Sequence, residues 1–404
     1  MKLSKTIIGG SLILLITFNF FNVLNLIYSL AMVRLLSLSD YGVLSTLTYF
    51  VIIFAIFSES IQTVISKYTV KEKSASRIKD ILFRAIKKAG KTAGLLFVLY
   101  LILGLFISSF LHIQYWLVAL AGVALYTSFL APINRGALQG LKRFQSLGNN
   151  MIVEGSFKLL IGVLLVLIGW RVYGAMTGII IGSLIAFSFS FIQLRGVFSS
   201  KRKEAKVQGI YSYARPVFLA TFAIILFLSL DIILAKRFFS AELVGVYAIS
   251  STIAKIIFTG TQPISRAMFP ITAEAENKKS ARKALKTAAL LVGLVAIVWL
   301  ILVYIFPGMI VFLFSGKIVQ EAVSILLPVS AAMILLAFSN LFILYNLARD
   351  RLRHAKWLII PVVLQVALLF AFHSSLEQFS FALVAASAIF LMSSVLFAYM
   401  ERKK

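Results

Sequence analysis

Long apolar stretches follow one another along the chain, and short polar segments separate them. A helix needs about 20 mostly apolar residues to cross a bilayer. Stretches of that length recur throughout, so the pattern predicts a polytopic helical membrane protein. Transmembrane β-strands would instead give alternating segments of roughly ten residues. We place twelve spans near residues 7–33, 41–65, 92–111, 115–134, 151–169, 173–194, 212–235, 243–269, 285–306, 322–346, 356–373 and 379–399.

The composition supports the same class of protein. Of the residues, 61% are hydrophobic and 13% are charged, and the mean hydropathy is +0.99. No stretch is left over for a soluble domain. The chain has no cysteine, which excludes disulfides and thiolate metal sites. Lys2 and Lys5 precede an apolar run that is too long for a cleaved signal peptide, so we expect an uncleaved first span.

The formal net charge of +26 raises the question of nucleic-acid binding. The positions of the basic residues argue against it. Most of the 40 Lys and Arg residues lie at the N-terminus or in alternate loops, and the other loops hold only Arg34, Arg171, Lys236, Arg237 and Lys317. Since cytoplasmic loops carry the excess of Lys and Arg, we expect a multi-pass protein of the cytoplasmic membrane with both termini in the cytoplasm. Membrane lipids with anionic headgroups are compatible partners; nucleic acid is not expected.

The longest basic segment is "SASRIKDILFRAIKKAGK", between the second and third spans. Its apolar residues recur at helical spacing and its basic residues lie on the opposite face. The segment therefore predicts a helix that lies on the inner membrane surface. The segment matches only the end of a phosphate-binding loop, at Gly90, Lys91 and Thr92. Such a loop would need a glycine at position 85, which is alanine here, and a preceding strand. No nucleotide-driven pump is indicated.

A sequence repeat divides the chain. "VRLLSLSDYGVLST" begins at Val33, and "KRFFSAELVGVYAIS" at Lys236 aligns with it without a gap at an offset of 203 residues. Ser37 and Ser240 stand where each can cap the next helix. A tight hairpin alone would explain either copy. The duplication predicts two six-helix bundles, residues 1–205 and 206–404, in the same orientation and with a substrate path between them.

Charged side chains at bilayer depth cost about 2.5–3.5 kcal/mol each on insertion scales, so they tend to serve function. Within or just inside the predicted spans we find Glu59, Glu154, Lys158, Asp231 and Lys255. Glu154 and Lys158 are one helical turn apart and can pair with each other. Asp231 can pair with Lys236 or Arg237, which follow it in the sequence. For Lys255 we expect a water-filled cavity, because no partner is close in sequence.

Polar residues also form stripes along three spans. Thr252, Lys255, Thr259, Gln262 and Arg266 follow one another at spacings of three and four in the eighth span. Such a stripe cannot face lipid, so it must face another helix or a wet cavity. The same alternatives apply to two further sets, Asn19, Asn22 and Asn25 in the first span and Ser58, Glu59, Gln62 and Ser66 in the second.

Three segments together resemble a known family: "RLLSLSDYG", "NRGALQGLKRFQSLGNNMIVEGSFKLLIG" and "LDIILAKRFFSAELVGVYAISSTIAKIIFTGTQPISRAMFP". Their order and spacing are similar to those of the polysaccharide biosynthesis, or oligosaccharide flippase, family. The wider superfamily includes multidrug and toxin extruders and the lipid II flippases, which typically have more than twelve spans. The resemblance covers essentially the whole chain.

The resemblance implies an all-α membrane fold of twelve helices in two pseudo-symmetric six-helix bundles, arranged as a V around a central cationic cavity. It implies a flippase that moves a polyprenyl-diphosphate-linked oligosaccharide from the inner to the outer leaflet for surface polysaccharide assembly. Lys255, Arg266 and Glu154 stand where the family's eighth and fifth spans often carry polar residues.

A lipid-linked glycan needs cations for its diphosphate and amides or hydroxyls for its sugars, while its tail stays in lipid. We assign Lys255, Arg266 and Arg135 to the diphosphate, although the inside-positive bias also explains Arg135. The candidates for glycan contacts are Asn19, Asn22, Asn25, Gln262 and Gln62, and those for coupling to H⁺ or Na⁺ are Glu59, Glu154, Lys158 and Asp231. One charge moved across the membrane gives about 2.3 kcal/mol per 100 mV, enough to bias alternating access.

Three rivals remain open. An ion-coupled multidrug or toxin antiporter of the same superfamily would need a carboxylate-rich cavity for cationic drugs. A major-facilitator transporter would usually show a Gly-Asp-Arg-Gly-type loop where this chain reads "KYTVKEKSASRIKD". A membrane enzyme would need a catalytic cluster, yet His112, His354 and His373 lie on three separate segments. We therefore expect no enzyme activity, cofactor or metal, a monomer, and glycan polymerase or glycosyltransferases as candidate partners.

Overall fold

The computed structural model describes residues 2–72, 74–205, 214–273, 275, 277–349 and 355–400, and all regular secondary structure in these ranges is helical. His354 and the side chain of Glu59 lie outside what the structure describes. The chain divides into two compact units, unit 1, Met1–Ser212, and unit 2, Tyr213–Lys404. This boundary lies a few residues from the predicted one.

Unit 1 contains the first eight helices. They are α1 Lys2–Leu35, α2 Leu38–Lys71, α3 Ala75–Leu111, α4 Tyr115–Ser128, α5 Ala131–Gly140, α6 Phe144–Leu165, α7 Arg171–Gln193 and the short α8 Arg195–Phe198. Helix α6 packs against α1 and α7, and α2 packs against α5. The predicted fourth span is thus two helices, because Pro132 in the first turn of α5 starts a new helix.

Unit 2 contains α9 Ala214–Phe238, α10 Ala241–Ala273, α11 Lys278–Ile305, α12 Pro307–Ser315, α13 Gln320–Ala348, α14 Ile359–Ala371 and α15 Leu376–Met400. Helix α10 packs against α13 and α11, and α13 also packs against α15. Ser37 and Ser240, at the repeated hairpins, both accept from a backbone N–H of the following helix, Asp40 at 3.1 Å and Leu243 at 3.4 Å.

Within the described residues, nine helical segments are long and apolar enough to cross a membrane. One of them, residues 144–193, contains two spans, because the chain turns between α6 and α7, where Gly169 has φ +95°. A positive φ suits glycine because it has no Cβ. Two shorter apolar helices, Leu38–Phe54 within α2 and Ile359–Ala371, complete the set of twelve. The predicted fold class, a helical membrane protein of twelve spans in two bundles, is confirmed.

The basic segment after α2 differs from its prediction. Residues 75–111 form one continuous helix, about 55 Å long, which exceeds the hydrocarbon thickness of about 30 Å. The apolar face of its first turns packs on protein: Ile78, Ile81 and Leu82 join a buried cluster with Leu138 and Val197. The expected membrane-surface helix is therefore wrong, because α5 and the chain after α7 cover the face that we assigned to lipid.

Residues 199–205, which we call the connector, lead from α8 toward unit 2 and bind the first turns of α3. Asp80 is 1% exposed and accepts from Arg202 and from the backbone N–H of Ala205. Arg84 pairs with Asp80 at 2.9 Å and with Glu204 at 3.0 Å. The connector is thereby fixed to unit 1.

The carboxyl of Asp80 lies before the predicted third span, 92–111. Burial alone would raise its pKa, but the Ala205 amide and the Arg202 and Arg84 guanidinium groups favour the ionised form more strongly. The pKa of Asp80 therefore lies below its usual value of 3.8. The carboxylate remains charged, and its contacts remain formed, throughout the physiological pH range.

Candidate functional site

The polar residues of unit 1 meet along one face of α6. Asn150, Glu154 and Lys158 follow one another at intervals of four residues, so their side chains lie above one another on the helix. Each is bound by a residue that is distant in sequence. We call these three residues and their partners on α1, α5 and α7 the α6 network.

Glycines bring the neighbouring helices close enough to form this network. A Cβ added at Gly182 of α7 would lie 2.8 Å from the Glu154 carbonyl oxygen and 2.9 Å from the Lys158 amide nitrogen. A Cβ at Gly155 of α6 would lie 2.9 Å from Leu24 of α1. Close backbone approach through small residues is the usual way in which helices associate in membranes. It fixes the height of Glu154 and Lys158 relative to α1 and α7.

Arg135 on α5 contacts both Asn150 and Glu154 in one half of the α6 network. Its Nε donates to Asn150 Oδ1 at 2.7 Å, and its Nη2 forms an ion pair with Glu154 Oε2. The side chains of Arg135 and Glu154 are only 12% and 21% exposed. Asn150 donates in turn to the Ala186 carbonyl at 2.7 Å, which ties the group to α7. The expected pair between Glu154 and Lys158 is not formed, because Arg135 takes the carboxylate.

Lys158 forms the other half of the α6 network. Its Nζ donates to Asn25 Oδ1 at 2.8 Å and lies 4.2 Å from the centre of the Tyr28 ring. Both partners are neutral groups on α1. No carboxylate oxygen among the described side chains lies within 4.0 Å of this ammonium. The α6 network thus holds two cations, Arg135 and Lys158, and one carboxylate, Glu154.

The other amide candidates of unit 1 are placed separately. Gln62 on α2 donates to Gln139 Oε1 on α5 at 3.0 Å. Asn19 and Asn22 are exposed on α1, whereas Asn25 is half-buried. Of the three asparagines, only Asn25 has a hydrogen bond to Lys158. The structure therefore brings Asn25, Arg135, Glu154 and Lys158 together, beside the separate Gln62–Gln139 contact.

In unit 2 the candidate charges are placed differently. Lys255 Nζ lies 3.0 Å from Asp231 Oδ1, and the two side chains are 7% and 0% exposed. Asp231 Oδ2 also accepts from Tyr247 at 3.1 Å and from Ser251 at 2.9 Å. The partner that we expected for Asp231 was Lys236 or Arg237; the one found is Lys255. The positive charge of Lys255 is thus compensated inside the unit.

Arg266 remains an exposed cation of unit 2. It donates to Gln262 Oε1 at 3.1 Å, one turn earlier on α10. The described structure records no carboxylate within ion-pair distance of Arg266. Arg266 and Gln262 form a second polar group, separate from the buried Asp231–Lys255 pair.

Several residues of these networks were missed by the sequence analysis. Tyr28, Gln139 and Asn150 in unit 1 and Tyr247 and Ser251 in unit 2 all bind a candidate residue. The four-residue spacings of Asn150, Glu154 and Lys158, and of Tyr247, Ser251 and Lys255, were available signals. Tyr28 and Gln139 had no such signal, because their partners lie on other helices.

Comparison with known families decides the class of the chain. A family model described as polysaccharide biosynthesis protein matches residues 8–276, which is about two thirds of the chain. The chain belongs to the polysaccharide biosynthesis protein family. A search of curated protein sequences finds no significant match.

Several solved structures have folds similar to that of this chain. An inward-facing multidrug resistance MATE family transporter of the MOP superfamily has a TM-score of 0.79 at 13% identity, over 94% of both chains. Its outward-facing counterpart has a TM-score of 0.64 at 14% identity, over 98% of this chain and 95% of that one.

A MOP superfamily transporter from Pyrococcus furiosus has a TM-score of 0.65 at 11% identity, over 97% of this chain and 93% of that one. It is described as having a binding pocket of reverse polarity that suggests a different function. At such identities the likeness shows the fold. The apolar helices and this fold together show a multi-pass membrane protein.

Proposed function

We propose that this protein translocates a polyprenyl-diphosphate-linked oligosaccharide from the inner to the outer leaflet of the cytoplasmic membrane, for surface polysaccharide assembly. The observation that carries the proposal is the charge of the α6 network. Lys158 is held by the neutral groups of Asn25 and Tyr28, while Arg135 takes the carboxylate of Glu154. Among the described side chains, the α6 network therefore holds two cations and one carboxylate and has a net positive charge.

Such a charge suits an anionic headgroup. A cation held at membrane depth without a carboxylate is unfavourable unless it has a functional partner. A diphosphate offers strong acceptors for Lys and Arg. Arg266 in unit 2, an exposed cation, supports the same ligand chemistry. The family membership points independently to polysaccharide synthesis.

The amides supply the chemistry that sugars need. Asn19 and Asn22 are exposed on α1, and Gln62 and Gln262 each hold a polar partner. Amide groups both donate and accept hydrogen bonds, which suits the hydroxyls of an oligosaccharide. We assign these four residues and Asn25 to contacts with the glycan.

The same proposal includes the transport cycle and its setting. Coupling to H⁺ or Na⁺ would drive the alternating access of the two units. Glu154 is the best-placed candidate for binding the coupling ion, because its partner Arg135 is a potential ligand of the diphosphate. The protein would act as a monomer with both termini in the cytoplasm. Glycosyltransferases would supply its substrate, and a glycan polymerase would consume the product.

An ion-coupled multidrug antiporter is the second candidate, favoured by the multidrug transporters among the similar folds. An organic cation would need carboxylates that lack a partner. In the described part of unit 1 the membrane-level carboxylate, Glu154, is bound by Arg135. The charge balance of the α6 network therefore favours an anionic substrate.

The test is a flipping assay in vesicles that contain the purified full-length protein and a fluorescent prenyl-diphosphate disaccharide. We expect the wild type to flip this lipid and Lys158→Gln to do so at least tenfold more slowly, because a hydrogen bond to a charged group contributes about 1.5–3 kcal/mol. Lys317→Gln, at an exposed position, is the matched control and should be unchanged. A wild type that exports an organic dye but flips no lipid would establish the second candidate.

A further inference from the structure

Four buried side chains in unit 2 form a polar group that the proposed function does not use. Asp231 on α9 is bound by Tyr247, Ser251 and Lys255, which lie four residues apart on α10. Asp231, Tyr247 and Ser251 are fully buried, and Lys255 is 6% exposed. The group therefore lies inside the unit, with little access from its surface.

The buried carboxylate of Asp231 can serve as a site for a small cation. Tyr247 and Ser251 both donate to its Oδ2, at 3.1 and 2.9 Å, and hold the carboxylate with its Oδ1 toward Lys255. Hard cations prefer carboxylate and other oxygen ligands. In this chain the cation present is the ammonium of Lys255, 3.0 Å from Asp231 Oδ1.

The direction of the lysine side chain fits this role. Side chains on a helix lean toward its N-terminus, so the long chain of Lys255 reaches back along α10 to Asp231, which Ser251 also contacts from one turn earlier. A shorter side chain at position 255 would leave the oxygen atoms of Asp231 without the ammonium. A buried carboxylate without a counter-charge is strongly unfavourable.

The sequence repeat supplies an independent observation. At the offset of 203 residues, Asp231 and Lys255 correspond to Tyr28 and Ile52, and Tyr247 and Ser251 correspond to Leu44 and Thr48. The first half therefore lacks both the carboxylate and the lysine at these positions. The carboxylate and the lysine are both present in the second half of the chain and both absent from these positions of the first half. This is expected if the lysine compensates the charge of the carboxylate.

We propose that the carboxylate of Asp231, held in place by Tyr247 and Ser251, is a site for a small monovalent cation, and that Lys255 fills this site permanently with its own ammonium group. The counter-charge of Asp231 is then part of the protein chain itself, and Asp231 needs neither Na⁺ nor a proton. This gives Lys255 a different role from the diphosphate contact predicted from the sequence. The proposal does not depend on the identity of the transported substrate.

The test replaces Lys255 by alanine and adds small cations that can bind in place of its ammonium group. Purified full-length Lys255→Ala is unfolded by heat in choline chloride, sodium chloride or methylammonium chloride at equal ionic strength. We expect Na⁺ or methylammonium to raise the Tm of this variant by about 2–4 °C over choline, because a ligand that binds only the folded state stabilises it. The wild type should give the same Tm in all three salts.

Two further variants make the result specific. Lys255→Ala combined with Asp231→Asn should lose the cation response, and Lys317→Ala, at an exposed position, should behave as the wild type. Equal Tm values of Lys255→Ala in all three salts would overturn the proposal. So would a cation response that survives Asp231→Asn.

If Lys255→Ala does not fold, the yield of folded Lys255→Met becomes the measurement. Methionine matches the length of the lysine stem but carries no charge, so the carboxylate still requires a cation. Recovery of folded protein in Na⁺ or methylammonium but not in choline supports the cation site. Equal recovery in all salts, or none in any salt, contradicts it.

Discussion

Lys158 on α6 donates a hydrogen bond of 2.8 Å to Asn25 on α1. The acceptor is an amide oxygen, so the contact positions the ammonium without neutralising it. In unit 2 the corresponding task is done by a carboxylate, because Lys255 contacts Asp231. Of Lys158 and Lys255, the described contacts thus pair only Lys255 directly with a carboxylate.

Asn25→Asp tests whether the uncompensated charge matters. The substitution keeps the shape of the side chain and places a carboxylate beside Lys158, which should neutralise the α6 network. We expect flipping of the prenyl-diphosphate lipid to fall about tenfold while Tm stays equal or rises, since a hydrogen-bonded charge pair replaces a neutral contact. Asn149→Asp, at an exposed position on the same helix as Lys158, is the control. Unchanged flipping by Asn25→Asp would argue against an anion at this place.

The Arg135–Glu154 pair can be measured by a double-mutant cycle. Glu154→Gln leaves the mostly buried Arg135 without its carboxylate, so we expect a loss of about 1–3 kcal/mol in the free energy of unfolding. Arg135→Gln should cost a similar amount, and the double variant less than the sum of the two, because the residues share one interaction. The measurement is unfolding in mixed detergent micelles. Strictly additive losses would mean that the two residues do not interact.

Gly182 should tolerate no side chain. Gly182→Val would place a Cβ against the Glu154 carbonyl oxygen and the Lys158 amide nitrogen of α6, and these backbone atoms cannot move without separating α6 from α7. We expect a loss of roughly 1–3 kcal/mol in the free energy of unfolding. Gly94→Ala is the control, because nothing lies within 4 Å of a Cβ at that position; alanine there should be neutral or slightly stabilising. Equal stability of both variants would contradict the close packing of α6 and α7.

Asp80→Asn should release the connector. The wild-type connector carries Lys201, Arg202 and Lys203, which are potential trypsin sites, and Asp80 holds it to α3 through Arg202 and Ala205. We expect trypsin to cut the variant at least tenfold faster at these residues, as measured by mass spectrometry of the fragments. Glu242→Gln is the matched control, because Glu242 is an exposed carboxylate on α10 of unit 2. Equal cleavage of wild type and Asp80→Asn would show that the connector is not held by this carboxyl.

The lowered pKa of Asp80 also predicts a pH dependence. A carboxyl whose pKa is depressed by folding contributes its full stability above the unfolded pKa and loses it as the pH falls through the lower folded value. The difference in Tm between wild type and Asp80→Asn should therefore be constant from neutral pH to about pH 4 and shrink only below that. Thermal unfolding across this range measures it. A difference that disappears near pH 6 would implicate another group.

The sequence alone predicted the helical, two-bundle architecture. The apolar runs and the offset of 203 residues predicted twelve spans in two bundles, because a backbone in hydrocarbon must satisfy its own hydrogen bonds and helices are the way for one segment to do so. The caps at Ser37 and Ser240 were predicted for the same reason: they depend on residues close in sequence. The amphipathic segment before the third span was recognised as a helix, but the surface that its apolar face contacts was not.

Only the tertiary structure decided which charged side chains form ion pairs with each other. The sequence by itself determined that Glu154, Lys158, Asp231 and Lys255 lie in apolar spans. Local spacing suggested that Glu154 pairs with Lys158, and Asp231 with Lys236 or Arg237. Helix packing replaced these with Arg135–Glu154 and Asp231–Lys255. The physical reason is that the partner of a buried charge is set by the distance between helix faces, which depends on glycines and side chains far away in the chain, and not on separation along one helix.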